Sequence, residues 1–102
     1  MCILIHMMEV RQTERFLDWL SGLGDREATV RISVRIARLR GGNFGDAKRL
    51  TKNVSEMRID YGPGYRLYFT RRGAVVVILL CGGDKRTQSA DIAEAERLAE
   101  DL

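Results

Sequence analysis

The first stretch of patterned sequence has its apolar residues at helical spacing. It begins at Arg11, and the glycines Gly22 and Gly24 favour a helix C-terminus at its end. Its apolar positions are Phe16, Leu17, Leu20 and Leu23, with Trp19 beside them. Because this spacing follows the 3.6-residue period, it predicts a helix that buries one face.

The second stretch, which follows Asp25, fits two patterns. A strand-like alternation is formed by Val30, Ile32, Val34 and Ile36. A helical stripe is formed by Ala28, Ile32, Ile36 and Leu39. Ala37 and Arg38 interrupt the alternation but fit the stripe. We therefore predict a second helix, which Asp25 caps and which ends at Gly41-Gly42.

Two shorter stretches on either side of Gly62-Pro63-Gly64 alternate between apolar and polar residues. Val54–Tyr61 and Tyr65–Thr70 each place their apolar residues on one face, so together they predict a β-hairpin. If both apolar sets face the core, Tyr61 lies opposite Tyr65 and the loop has three residues.

Three further stretches complete the prediction. Ile3–Glu9 is a short apolar run typical of a first strand, and Ala74–Cys81 is apolar throughout, as in a central strand covered on both faces. Asp91–Leu102 has the spacing of a short C-terminal helix. The order is βααβββα, and residues 1–102 are predicted to form one α+β domain. Its curled, mainly antiparallel sheet would pack against two N-terminal helices.

Composition narrows the class of protein. The chain has 102 residues, of which 45% are hydrophobic and 30% charged, which is ordinary for a globular domain. No apolar run reaches the roughly 18 residues that a membrane span needs. The N-terminus has no basic region or cleavage site typical of a signal peptide. Cys2 and Cys81 lie far apart in sequence, so we expect a reduced protein in the cytoplasm, without a membrane.

Positive charge is concentrated in the middle of the chain. The segment 26–72 contains twelve basic and four acidic residues, a net charge of +8, whereas 1–25 has −2 and 73–102 has −3. Most of the basic residues are arginines, whose planar guanidinium pairs well with phosphate oxygens. This distribution indicates a polyanionic partner such as nucleic acid. The alternative is scattered surface charge on a solvated helix face.

The polar face of the hairpin holds the first group of candidate residues. In the register given above, Arg58 lies opposite Tyr68 and Asp60 opposite Arg66. Two guanidinium groups and a phenol on one surface have the chemistry to bind a phosphodiester. In the alternative interpretation, Asp60 pairs with Arg66 and Arg58 stacks on Tyr68, as surface packing.

Two glycine-rich segments hold the remaining candidates. Gly82–Gln88 follows the apolar strand and precedes a helix, where small residues let a ligand approach. Its side-chain donors are Lys85, Arg86 and Gln88. The alternative is an ordinary turn with Thr87 or Ser89 as N-cap. Gly41–Lys48 predicts a flexible loop from which Lys48 reaches the sheet; alternatively it only connects two elements.

Other kinds of site have no support in the sequence. The glycine-rich motifs of nucleotide-binding loops do not occur. His6 is the only histidine, so a histidine zinc cluster is impossible, and we interpret His6 as a packed or edge residue. Cys81 is interpreted as a core residue. We expect neither a metal nor a cofactor.

The same segments carry a family resemblance that covers about residues 10 to 100. The longest matching segment, 54–69, contains Arg58, the Gly62-Pro63-Gly64 turn, Arg66 and Tyr68. The other matching segments, in the same order as in the family, are 16–20, 31–39, 42–46, 79–85 and 87–88. The chain resembles the HigB-like "addiction module killer proteins" of the RelE/ParE toxin superfamily.

This resemblance implies a microbial RNase-like α+β fold and the activity of a ribosome-dependent mRNA endonuclease. It also implies an antitoxin encoded beside it, commonly a helix-turn-helix protein, through which alone the toxin would meet operator DNA. Chemistry of the RelE type needs no metal: a ribose 2′-hydroxyl attacks the adjacent phosphate and leaves a 2′,3′-cyclic phosphate. The reaction needs positive charge on the phosphate, a base and an acid.

The resemblance places the reacting groups on the concave sheet face and after the last strand. The predicted catalytic residues are Arg58, Lys85, Arg66, Tyr68 and Gln88. The predicted RNA-binding residues are Lys48, Lys52, Arg86 and Arg71. The chain departs from other HigB toxins in having no histidine near its C-terminal end. The candidate bases are therefore Lys48, Lys85, Tyr68 and Asp84.

Two other functions fit the same fold, because a fold does not fix an activity. A ParE-like protein inhibits DNA gyrase and has no nuclease site. A non-catalytic module binds its antitoxin and represses its own operon. The phosphate-directed groups predicted on the hairpin favour RNA cleavage.

Overall fold

A computed structural model describes residues 7–102 and contains three α-helices and five strands. The elements in chain order are β1 (Glu9–Gln12), α1 (Glu14–Ser21), α2 (Arg26–Arg40), β2 (Ala47–Arg49), β3 (Ser55–Ile59), β4 (Tyr65–Arg72), β5 (Val76–Gly83) and α3 (Gln88–Glu100). A single 3₁₀ turn, Lys85–Thr87, connects β5 to α3. The predicted order is confirmed, with the short strand β2 added to it.

The strands form one mixed sheet in the order β1-β5-β4-β3-β2. β1 pairs with β5 in parallel, and every other neighbouring pair is antiparallel. The long, apolar β5 therefore lies inside the sheet, as its composition predicts. The predicted α+β class and mainly antiparallel sheet are confirmed.

Both faces of the sheet are covered, by different helices. On one face, α1 and α2 enclose the larger core, whose buried residues include Phe16, Ile32, Leu39, Leu67 and Leu79. On the other face, α3 covers a smaller core of Val54, Tyr68, Ile78, Leu80, Cys81, Ala95 and Ala99. The interpretation of Cys81 as a core residue is confirmed, since only 3% of it is exposed.

The helix prediction over α2 is also confirmed. The Asp25 carboxylate accepts a 3.1 Å hydrogen bond from the backbone N–H of Ala28, which is the N-cap expected there. The four residues of the predicted stripe are all buried: Ala28, Ile32, Ile36 and Leu39. The segment is therefore a helix that buries this stripe, and not the strand that the alternation would give.

The first strand and first helix are displaced from their predicted bounds. Most of the predicted strand, residues 3–6, lies outside the described residues, as does His6. The helix begins at Glu14 rather than Arg11, because Arg11 and Gln12 pair with β5. Thr13 caps it, its hydroxyl accepting from the N–H of Phe16 at 3.0 Å.

The hairpin register differs from the prediction by two residues. Ile59, not Tyr61, lies opposite Tyr65, and the loop has five residues. Tyr61 lies beyond the end of the strand, and its ring packs under the guanidinium of Arg31, 4.7 Å away. Gly62 and Gly64 adopt left-handed φ values of 56° and 80°, which glycine reaches without strain.

The corrected register changes the cross-strand neighbours. Arg58 lies opposite Arg66, and Glu56 lies opposite Tyr68. The predicted pairing of Asp60 with Arg66 is therefore wrong, as is the stacking of Arg58 on Tyr68. A shift of two residues keeps every side chain on its predicted face, because the side-chain period of a strand is two.

Two further segments differ from the sequence prediction. Part of the Gly41–Lys48 loop forms the edge strand β2, in which Lys48 pairs with Glu56. Gly82-Gly83 continues β5 rather than ending it, since Gly83 pairs with Arg66 and Gly82 with Leu67. The last helix begins at Gln88, three residues before the predicted start.

Candidate functional site

A row of side chains crosses the sheet at the end where the hairpin turns. Arg58 and Arg66 are paired positions on β3 and β4, and Arg66 is also paired with Gly83 on β5. The N–H of Arg58 donates to the carbonyl of Asp46 at 3.0 Å, which brings Asp46 alongside. Because paired positions project to the same face, both arginines lie on the side of the sheet that α3 covers.

A cleft of about 270 Å³ opens at this end of the sheet. Three of the five predicted catalytic residues line it: Arg58, Arg66 and Lys85. The other lining residues are Asp46, Ile59, Asp60, Gly64 and Tyr65. Segments that are distant in sequence thus bring three cationic side chains to one small space.

Arg58 is the accessible arginine of the cleft. Half of its side chain is exposed, and its Nε lies 3.5 Å from a carboxylate oxygen of Asp46, which is exposed too. An ion pair in solvent holds its partners weakly, so the guanidinium is free to turn toward an anion. Its backbone is fixed separately: the carbonyl of Arg58 accepts a 2.6 Å hydrogen bond from Nη1 of Arg35 on α2.

Arg66 is held in a buried ion pair. Its Nη1 donates to both carboxylate oxygens of Glu56, at 3.0 and 3.2 Å, and the two side chains are only 10% and 3% exposed. The Nε of Arg66 is buried and has no hydrogen-bond partner. Sequence reasoning missed Glu56, although it lies at the same alternation as Arg58 on the polar face of β3.

Tyr68 is fully buried, so the prediction of an exposed phenol on the hairpin is wrong. Its ring belongs to the core beneath α3, and its hydroxyl has no hydrogen-bond partner. Burial, reinforced by the Glu56 carboxylate, raises the pKa of Tyr68 far above its usual value of 10. The phenol therefore stays protonated at neutral pH and does not act as a base.

The segment after β5 contributes one residue to the cleft. Lys85 is exposed at the start of the 3₁₀ turn. Arg86 is paired instead with Asp84, from Nη2 to Oδ2 at 2.9 Å. This hydrogen bond lowers the pKa of the Asp84 carboxyl, which makes Asp84 a weaker base. Gln88 is half-buried at the start of α3 and is not one of the residues that line the cleft.

Close packing fixes the path from β5 into α3. A Cβ on Gly83 would collide with the carboxylate of Asp91, so any other residue there would force the Asp91 side chain to move. Thr87 does not cap α3 through its side chain; its hydroxyl donates to Asp91 at 2.5 Å instead. The small residue predicted to admit a ligand thus admits a side chain of α3.

The predicted RNA-binding residues are spread over two faces of the sheet. Lys48 is exposed on β2 opposite Glu56, on the face of the cleft, and Lys52 is exposed in the following turn. Arg71 lies with Phe69 on the other face, where its guanidinium stacks on Phe44 at 4.8 Å. Arg71 is therefore separated from the cleft by the sheet.

The arrangement has the chemistry to stabilise an anion. Three cations converge on a concave surface that Asp46 and Asp60 also line, and the exposed guanidinium of Arg58 and ammonium of Lys85 can bind an oxyanion or phosphate. Across residues 7–102, no three histidine, cysteine, aspartate or glutamate side chains cluster as metal ligands would. No helix in that range is long and apolar enough to span a membrane.

Comparison with known proteins finds similarity to a protein sequence and to a solved structure. No protein-family model matches the chain. An uncharacterized protein of Haemophilus influenzae is 47% identical over 95 residues, which cover 93% of this chain and 96% of that protein. A mutant of the Escherichia coli toxin RelE, solved in the free state, superposes with a TM-score of 0.70 and 17% identity, over 89% of this chain and 96% of that one. The chain therefore has the RelE-like fold, and it belongs to the same protein family as the H. influenzae relative.

Proposed function

We propose that this protein is the toxin of a type II toxin–antitoxin system, of the HigB-like kind, and that it cleaves mRNA on the ribosome. The observation that carries the proposal is the convergence of Arg58, Arg66 and Lys85 in one cleft of a RelE-like fold. Asp46 and Glu56 pair with Arg58 and Arg66, so Lys85 and the exposed, weakly paired Arg58 are the groups best able to attract an anionic ligand. In this proposal residues 1–102 act as a single toxin domain.

The reaction would begin with attack of a ribose 2′-hydroxyl on the adjacent phosphorus. The hydroxyl loses its proton, the bond from phosphorus to the 5′ oxygen breaks, and that oxygen takes up a proton. The products are a 2′,3′-cyclic phosphate and a free 5′-hydroxyl. Negative charge grows on the phosphate oxygens in the transition state, so pre-placed guanidinium groups accelerate the step.

The structure supports different roles for the three cations. Arg66 is fixed by Glu56, which suits it to orient the phosphate, whereas Arg58 is exposed and can close on the charge as it develops. Lys85 is exposed at the mouth of the cleft, where an ammonium can neutralise or protonate the leaving oxygen. Gln88 begins α3 and is not among the residues that line the cleft, so its catalytic role stays a prediction.

The structure narrows the set of candidate bases. Burial keeps the Tyr68 phenol protonated. The hydrogen bond that Asp84 accepts from Arg86 lowers the pKa of Asp84 and makes it a weaker base. Lys48 and Lys85 remain, and both are exposed. We infer that the chain has no strong base of its own and that the ribosome orients the mRNA for attack.

The proposed partners are a cognate antitoxin, the ribosome and mRNA. The antitoxin is expected to be a helix-turn-helix protein encoded nearby, and operator DNA is reached only through it. Lys48, Lys52 and Arg86 are the proposed RNA contacts, whereas Arg71 lies on the other face of the sheet and would contact RNA only beyond the cleft. The proposed setting is the cytoplasm, with neither metal nor cofactor.

One experiment separates the three functions considered. The protein is induced in cells; mRNA 5′ ends are then mapped by primer extension while the supercoiling of a reporter plasmid is followed. The proposed nuclease produces new mRNA ends in translated regions and leaves supercoiling unchanged. A gyrase inhibitor changes supercoiling alone, and a non-catalytic module changes neither, so either result overturns the proposal.

A further inference from the structure

A buried ion pair lies beside the cleft and crosses two strands diagonally. Glu56 is 2% exposed and Arg66 is 8% exposed. Arg66 is not directly opposite Glu56 in the sheet, since its paired position is Arg58. The guanidinium therefore reaches sideways along β3 to place Nη1 within 3.2 Å of both carboxylate oxygens.

A buried ion pair is weak evidence of a contribution to stability. Removing two charges from water costs free energy, and well-packed apolar side chains of similar volume often serve a fold as well or better. The surrounding side chains are suitable for that alternative: Tyr68, Leu80 and Val54 on the same face are fully buried. We therefore look for the role of this buried pair in the cleft beside it.

The hydrogen bonds of Arg66 show which part of it can meet a ligand. Nη1 is occupied by Glu56, and Nε is buried without a partner. This leaves Nη2 as the nitrogen with which Arg66 can bind an anion in the cleft that it lines. A guanidinium anchored at one nitrogen has already lost most of its rotational freedom, so less entropy is lost when it binds.

We propose that Glu56 is a positioning residue that fixes Arg66 so that Nη2 faces the scissile phosphate. The inference rests on the proposed nuclease function. Glu56 does not itself act as the base, because it is almost fully buried and is not among the residues that line the cleft. The two paired arginines then have different roles: Glu56 holds Arg66 in place, whereas Arg58 is free to move.

The kinetic test is a double-mutant cycle with Glu56→Gln and Arg66→Met, read as single-turnover cleavage of mRNA on programmed ribosomes. Glu56→Gln keeps the shape but loses the charge, and we expect a rate about 10- to 100-fold lower, by analogy with residues that orient the ligands of a metal site. With Arg66→Met present, Glu56→Gln should change the rate by less than about twofold, because its effect passes through Arg66.

The matched control is Glu9→Gln, which makes the same change in a glutamate that pairs with Arg11 on the far edge strand. It should leave the rate unchanged. Thermal melts of all variants correct each rate for the folded fraction. A rate loss from Glu56→Gln that persists in the Arg66→Met background would overturn the positioning role, as would a loss explained by unfolding.

A second readout does not depend on cleavage. In NMR spectra of the side-chain guanidinium groups, wild-type Arg66 should show separate, slowly exchanging Nη signals, and Arg66→Met assigns them. Glu56→Gln should merge these signals, while the exposed Arg58 is averaged in both proteins. Averaged Arg66 signals in the wild type would refute the inference. Held Arg66 signals in a protein that cleaves no mRNA would refute the proposed function alone.

Discussion

Replacing Arg58 with alanine separates a role in catalysis from a role in folding. Half of the Arg58 side chain is exposed, and its one ion pair, with Asp46, spans 3.5 Å in solvent. Exposed pairs of this kind contribute about 0–1 kcal/mol to stability. The hydrogen bond from Arg35 goes to the backbone carbonyl, so alanine retains it. We expect Arg58→Ala to change the free energy of unfolding by no more than about 1 kcal/mol.

The expected effect on cleavage is far larger. A guanidinium placed on a phosphate that gains charge in the transition state contributes about 3–4 kcal/mol, by analogy with an oxyanion-hole donor. The rate should therefore fall by about 10²- to 10³-fold. Arg58→Lys should recover only part of the loss, because an ammonium cannot donate to two oxygens in parallel.

This prediction is tested by thermal melts and by binding of the antitoxin, which report on folding. Single-turnover cleavage on the ribosome and growth arrest in cells report on activity. The matched control is Arg11→Ala, another exposed arginine that pairs with a single carboxylate, on β1. It should remain fully toxic. A folded Arg58→Ala protein that arrests growth at full strength would refute the catalytic role. A variant that melts far below wild type would show that Arg58 is structural.

Three further predictions concern the rest of the molecule. Purified protein should cleave free RNA poorly, and a chelator should not lower this residual activity in an assay without ribosomes; efficient cleavage of naked RNA, or activity lost to chelator and restored by a divalent ion in that assay, would contradict this. The antitoxin should bind through acidic segments to the basic region 26–72, so its affinity should fall as salt is added, and a salt-independent affinity would argue against that interface. Tyr68→Phe removes a buried hydroxyl without a partner and should leave stability at pH 7 equal or higher. Because the pKa of Tyr68 is raised in the folded protein, wild-type stability should fall as pH rises above about 10, and denaturant unfolding should show a shallower fall for Tyr68→Phe.

The helices could be predicted because local spacing and packing agree in them. Along α2, the stripe from Ala28 to Leu39 is buried as predicted, and Asp25 caps the helix. The apolar run that became β5 contains no polar residue that would fit an exposed position, so its central place in the sheet was also predictable.

The polar face of the hairpin could not be predicted in the same way. Alternation shows which side chains share a face but not what covers that face. Tyr68 and Arg66 lie on the predicted side, yet α3 and the neighbouring strands bury them. The predicted register was wrong for a related reason. Tyr61 fits the alternation of the strand, but its ring packs under the guanidinium of Arg31 on α2. Both errors come from contacts between residues far apart in sequence.

The sheet topology explains why the candidate site forms at this end of the strands. β4 is antiparallel to both β3 and β5, so the end of β3, the start of β4 and the end of β5 meet at one place. Arg58, Arg66 and Lys85 occupy these three positions, and a Cβ on Gly64 of the hairpin turn would lie 3.8 Å from that of Lys85. Arg58 is held at this end of the sheet through its backbone, since Arg35 donates to its carbonyl oxygen, and its side chain makes only an exposed ion pair. The charge of Arg58 can therefore be removed without loss of the sheet, which is the separation that the Arg58 variants measure.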